Sequence, residues 1–359
     1  MNRLYYIFAS LFLSTTVMAL KVRTKSPSPP PIPASQELYS EGIGVFGHCE
    51  VLYWTSQSTD LPICIVGDVG GGSSSSLVNQ SILSIPLGWT AGFDVGLGFD
   101  VPTCDWSISA DWTRFHNSAT RNLSTTLPSG GTPTSGRFIM PIWSQIGNLP
   151  SRLKGYQYLH FDTIDLMLKI KCYKTSSTDL KIFGGVKLAS INQKLTVNTQ
   201  GLLYSGVLFP SGYENSEMLN RFKGVGLEIG GSAIFPIRWG IGIDFESIFA
   251  LLAGAYHLNY NDQLNVSGSS NLSNEQSWVE KSIALAIDIR GQLFWEKRFS
   301  KYRKIKLFVG FDTSYWPDQI LVTHTARLTD SSIYSLSNLT LGNGNLSLYG
   351  YRFGANFGF

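Results

Sequence analysis

Apolar residues recur at every second position in ten separate segments of this chain, and that period decides the class of fold. Residues 89–101 set Trp89, Ala91, Phe93, Val95, Leu97, Phe99 and Val101 against Thr90, Gly92, Asp94, Gly96, Gly98 and Asp100. Residues 239–256 set Trp239, Ile241, Ile243, Phe245, Phe249 and Leu251 against Gly240, Gly242, Asp244 and Glu246. The same alternation runs through 45–54, 105–116, 161–172, 180–191, 223–235, 283–296, 305–316 and the closing LYGYRFGANFGF, 348–359. A strand points successive side chains to opposite faces, so each segment reads as a strand with one greasy face.

The connections alternate as regularly as the residues. Short links lie around Pro102-Thr103, at 175–178, 236–238 and 298–303. Long ones cover 55–87, 117–158, 194–220, 258–280 and 318–342. Short turns on one side and long loops on the other are the arrangement of a transmembrane β-barrel. The expected fold is all-β, a single antiparallel barrel of about ten strands with short periplasmic turns and long extracellular loops. Twelve strands is the runner-up, because 136–143 and 196–208 have the composition for an extra hairpin extension or two more strands.

A secreted β-sandwich also alternates. Its wet face should be rich in Lys, Glu and Thr, whereas the polar parity here is Gly, Ser and isolated charges of both signs, as in a confined lumen. Aromatic residues gather at strand ends: Trp54, Trp89, Trp112, Tyr256 and Tyr315 towards one rim, Trp106, Trp239, Trp295 and Phe359 towards the other. Aromatic girdles at both interfaces belong to a membrane barrel. Lipid tolerates no open sheet edge, so the last strand must pair with the first.

Met1-Asn-Arg3, the apolar run Leu4–Met18 and Val17-Met18-Ala19 read as a signal peptide over 1–19. Residues 20–42 include TKSPSPPPIPAS and read as a Pro/Ser-rich periplasmic linker, leaving 43–359 for the barrel. No later stretch has the roughly 20 apolar residues of a membrane helix. An even strand count places both termini in the periplasm of a bacterium with an outer membrane. A net charge of +3 without a Lys/Arg stripe gives no case for nucleic acid. The expected partners are outer-membrane lipid, the barrel-assembly machinery that reads a terminal aromatic such as Phe359, and small hydrophilic solutes, with self-association left open.

FGHCEVLYW (46–54), GWTAGFDVGLGFDVPTCDWSISADWTRFH (88–116), FDTIDLMLKI (161–170), IFGGVKLASINQ (182–193), FKGVGLEIGGSAIFPIRWGIGIDFESIFALLAG (222–254) and the final Gly-Phe occur in that order. This series resembles the Legionella-type major outer membrane protein family, whose relatives include proteins of chlamydia-like bacteria. The resemblance spans nearly the whole mature chain. It implies a pore-forming outer-membrane barrel and brings no catalytic residues. The Pro-rich stretch is a departure from it.

With the polar parity inward, the lumen carries Glu50, Asp94, Asp111, Asp165, Glu228, Asp244, Glu246, Asp288 and Asp312. It also carries Lys169, Lys181, Lys187, Arg290, Lys306 and Arg352. These residues make either a charged eyelet that filters small solutes or a network of ion pairs filling a narrow barrel. Ten strands lie near the eight whose interior is just filled by side chains. The many inward Gly favour a narrow pore by removing volume. The expected function is passive diffusion of small hydrophilic solutes or ions, and the alternative is a closed barrel displaying its loops to a receptor.

Cys104 and Cys172 fall at the periplasmic ends of adjacent strands and are a disulfide candidate in an oxidising compartment; Cys49 with Cys64 is a weaker pair. The Cys spacing matches no zinc pattern, the His are scattered, and no cofactor motif appears. Asp111 with His116 and Asp162 with His160 are the acid–His pairs a barrel enzyme would need. No Gly-x-Ser-x-Gly accompanies them, and no enzyme is expected.

Overall fold

The computed structural model describes residues 44–58, 61–69, 77–101, 105–126, 136–142, 149–175, 177–204, 207–265, 272–299, 303–330 and 333–359. The expected signal peptide and linker, and Cys104, lie outside the described residues. The described residues form thirteen strands: β1 (Gly44–Ser58), β2 (Pro62–Val69), β3 (Leu77–Ser84), β4 (Thr90–Val101), β5 (Trp106–Ser124), β6 (Gly136–Pro141) and β7 (Leu149–Lys174) come first. They are followed by β8 (Asp179–Tyr204), β9 (Val207–Arg238), β10 (Ile241–Asn265), β11 (Leu272–Arg298), β12 (Lys304–Asp330) and β13 (Ile333–Gly358). Ten of them close an antiparallel ring in the order β1-β13-β12-β11-β10-β9-β8-β7-β5-β4. The other three form a separate sheet in the order β3-β2-β6.

Ten strands, and not twelve, therefore make the wall. Residues 196–204 and 207–208 extend the β8–β9 hairpin, while 136–141 supplies β6 to the small sheet. The ring closes where β13 meets β1, with Phe353 opposite Val51. Phe359 N–H donates to the carbonyl of Val45 at 2.8 Å.

The alternation places side chains as expected. Val51, Leu97, Leu166, Leu227, Leu251 and Phe353 point out and are exposed, while Glu50, Asp94, Asp165, Glu228 and Arg352 point in and are buried. Following paired residues round the ring from Lys281 leads through Ala255, Lys223, Ser190, Asp162, Arg114, Phe93, Val51, Phe353 and Val309 to Leu293, twelve residues along the same strand. A stagger of twelve over ten strands corresponds to a tilt of about 40°. At that tilt a wall strand such as β7, 26 residues long, rises about 65 Å, roughly twice the 30 Å of a bilayer's hydrocarbon core.

Much of what reads as loop is therefore wall. The described residues of segments 194–220, 258–280 and 318–342 continue the wall strands β8 to β13. On β8 the apolar parity is outward up to Leu188, then Ile191, Leu195 and Val197 are buried inside while Asn192, Lys194 and Thr196 face out. The phase of the pattern inverts where the strand leaves the apolar band, because the outside becomes wet and the inside dry.

The turn end is tight. Arg238–Ile241 closes β9 onto β10 through Trp239 (φ 56°) and Gly240 (φ 79°), both left-handed. Two positive φ values are what a two-residue hairpin turn matching the sheet twist requires. Gly240 supplies one freely, and its carbonyl accepts from Glu296 N–H at 2.7 Å. For Trp239 the conformation costs about 1–2 kcal/mol. Its ring is 82% exposed at the rim and stacks with the Arg238 guanidinium 5.6 Å away.

Candidate functional site

The lumen has two levels and a cover. The level nearer the turn end is charged, and all fifteen residues expected to line the lumen face it. Lys187, 2% exposed, has its Nζ 2.8 Å from Asp165, 3.2 Å from Asp288 and 3.7 Å from Glu228. Arg290 donates to Glu246 at 3.1 Å and lies 4.0 Å from Asp94. Arg352 pairs with Glu50 and lies over the ring of Phe308. Lys306 bonds Asp244 at 3.0 Å, and Gln292 donates to the same carboxylate at 2.9 Å. Trp54 Nε1–H donates to Asp312 at 2.6 Å, and Asp111 accepts from Ser109 at 3.1 Å. Lys169 rests over the ring of Phe183, and Lys181 lines the cavity below.

His48 completes this level: its Nε2 is 3.0 Å from Asp94 and 3.7 Å from Asp111. The parity that places Glu50 inward also places His48 there, so the signal was present in the sequence. A cavity of about 220 Å³ at this level reaches towards the turn end, lined by His48, Asp94, Asp244, Arg290, Lys306 and Arg352 among others.

Above the charges lies an apolar layer, with buried polar side chains such as Asn117, Gln157, Gln193 and Asn220 at and beyond it. Leu52, Trp54, Phe115, Phe161, Phe222, Leu252, Trp316 and Leu348 point inward from seven strands and are at most 4% exposed. Phe161 meets Trp316 edge-on at 5.7 Å, Trp54 meets Phe115 at 5.5 Å, and Phe222 meets Tyr256 at 4.7 Å. Trp54 and Tyr256 belong to this layer and not to the rim girdle, where the sequence reading placed them. Trp54 shares its parity with Glu50, which is what points it inward.

Inward glycines do not widen the lumen as expected. A methyl group on Gly92 would press on Phe115, on Gly224 or Gly254 on Phe222, on Gly230 on Phe183, and on Gly354 on Phe308. Each glycine is a seat for a neighbouring aromatic ring, so the removed volume is refilled at once.

The small sheet β3-β2-β6 covers the loop end. Ile63, Cys64, Val66 and Ile139 are buried with Leu153, Leu195, Val197, Met218 and Tyr260 from the wall strands. Burial pushes the Cys64 thiol up to about 11. Cys49 faces outward and carries no disulfide, so the Cys49–Cys64 pairing fails; the two belong to opposite surfaces. Cys172 is exposed, forms no disulfide among the described residues, and its thiol donates to the carbonyl of Ile170 at 3.7 Å.

The aromatic residues expected at the rims lie on the outer wall. Trp89, Trp112, Trp239, Trp295 and Phe359 are exposed, and Trp106 is partly so. Trp89 stacks between Tyr53 at 5.4 Å and Tyr351 at 5.8 Å. His160 pairs with Asp162 on this outer wall, beside Arg114 and His116. Asp111 points in and His116 out, so that pair does not meet.

Residues 48–359 match the family model described as Legionella pneumophila major outer membrane protein precursor. No curated protein is significantly similar to the chain in sequence. Among solved structures, the outer membrane protease OmpT from Escherichia coli is 9% identical, with 88% of this chain and 96% of that chain covered and a TM-score of 0.36. A Pseudomonas aeruginosa FadL homologue is 5% identical over 89% and 90%, TM-score 0.23. The P. putida toluene transporter TodX is 9% identical over 89% and 90%, TM-score 0.20.

Proposed function

The chain belongs to the Legionella pneumophila major outer membrane protein family, and from that premise we propose that it is a non-enzymatic outer-membrane barrel, closed at rest, that acts through its loop end. The turns face the periplasm and the tall hairpins the exterior, where they meet a receptor or neighbouring surface. The observation that supports this reading is the apolar layer, in which rings from opposite walls touch, with the small sheet packed on Leu153, Leu195, Val197 and Met218 nearer the loop end. An apolar constriction of this kind holds no continuous water. The charged level beneath it then serves as an ion-pair core.

The passive pore is the second reading, favoured by the cavity of about 220 Å³ lined by charges of both signs. It needs the aromatic layer to move aside, leaving Lys187, Arg290, Arg352 and their carboxylates as the filter. Planar-bilayer recording of the purified, folded protein separates the two. The closed reading expects a silent membrane; discrete, reproducible channel steps from the wild-type chain would overturn it. Protease shaving of intact cells, expected to cut only on the loop side, tests the orientation.

A further inference from the structure

We infer that the outer wall of β9, β10 and β11 carries a binding site for the phosphate of a phosphorylated membrane lipid. The observation is a change of chemistry within one residue row. The row Trp112, Ile164, Leu188, Val225, Ala253, Ile283 is wholly apolar and faces outward. One step towards the loop end, the outward residues on β9 to β11 become Lys223, Ala255 and Lys281, and the next step brings Arg221 beside His257. Arg221, Lys223, His257 and Lys281 are all exposed.

These cations lack the partners that neutralise their neighbours. Arg114 and His160 share Asp162, and Lys194 holds Glu217 at 2.8 Å. Arg221, Lys223 and Lys281 have no carboxylate within ion-pair distance among the described residues. Glu275, the next outward acid on β11, lies six residues beyond Lys281. Lys223 and Lys281 flank the methyl of Ala255, with backbones about 10 Å apart across two strand spacings. Two long flexible cations on either side of a small residue, with an Arg above, make a bracket for a tetrahedral dianion.

The level of the bracket selects the ligand. The stagger lowers each successive strand from β11 towards β5 by about one residue. Corrected for this, Lys281, Arg221 and His257 stand within about two residues of one another, immediately above the apolar band, where lipid headgroups lie. The opposite sector of the same rim is aromatic, with Trp89, Tyr53, Tyr349 and Tyr351 packed together. Phosphate recognition is thus confined to one side of the barrel. Assigning the lipid to the external leaflet rests on the orientation proposed above; the bracket itself does not.

The test uses the full-length folded protein in neutral detergent and reads the temperature at which it loses its heat-modifiable gel mobility. Bisphosphorylated lipid A at saturation is expected to raise that temperature by about 5 °C or more. Dephosphorylated lipid A and inorganic phosphate at equal concentration are expected to leave it unchanged. The variant R221A/K223A/K281A should lose the shift, and R221K/K223R/K281R should keep it. An equal shift with dephosphorylated lipid, or an undiminished shift in the alanine variant, overturns the proposal. The readout involves neither current nor topology, so its failure is distinct from failure of the closed-barrel reading.

Discussion

Arg352 of the last wall strand forms an ion pair with Glu50 of the first across the seam that closes the ring, with side chains only 6% and 5% exposed. The pair joins the two strands most distant in sequence, β1 and β13, from the inside. Removing one partner leaves an uncompensated buried charge, which costs about 3–5 kcal/mol. Glu50→Gln and Arg352→Met should each lower the gel-shift temperature. The double variant should be less destabilised than the sum of the two, and strict additivity would show that the pair does not couple the seam.

The aromatic layer should be removable without unfolding the wall. Phe161→Ala with Trp316→Ala deletes two facing rings whose centroids are 5.7 Å apart. Bilayer recording is expected to change from silence to small, discrete conductance steps. The variant pays for this with about 3–5 kcal/mol of packing per ring, seen as a lower gel-shift temperature. A folded but still silent variant would place the seal in the covering sheet.

Gly254 and Gly224 lie against the same ring, that of Phe222. Gly254→Ala should destabilise by about 1–3 kcal/mol in urea unfolding followed by tryptophan fluorescence, since overpacking shifts side chains off their rotamers. Adding Phe222→Leu should recover part of the loss.

Cysteine reactivity should divide the surfaces. Cys172 is exposed, whereas Cys64 is buried with its thiol pushed up to about 11 from 9.0. The raised value lowers the thiolate fraction near pH 8 by about 100-fold before burial is counted. A water-soluble maleimide added to native protein should therefore label Cys172 and spare Cys64 until denaturant is added. Rapid labelling of Cys64 in the native state would show that the small sheet opens. Failure of Cys172 to label without reductant would support the bond to Cys104 proposed from the strand ends.

The period-two pattern made the ring legible because lipid imposes one rule on every strand: the outside is apolar. Leu97, Leu166 and Leu227 report it directly. The lumen obeys no single rule, and the reading was less complete there. The inward charges were placed by parity, but Trp54, Phe115, Phe222 and Trp316 share their face with Asp and Gly, and nothing local announces that they meet. Beyond Leu188 the pattern continues with its phase reversed, and a phase reversal looks like a loop when only one phase is sought. The unpaired Lys223 and Lys281 are about sixty residues apart in sequence and become neighbours only through the register of β10.

The ring of paired residues that returns to its own strand twelve positions later behaves as a reading frame. Losing one residue inside β8, at Gly184 for example, would turn Lys187 to lipid and Leu188 to the lumen, and would repeat the inversion along the rest of the strand. Losing two would preserve every facing and shift the strand by one row. Length variation in the wall is therefore expected in steps of two, and odd steps only beyond the last paired residues.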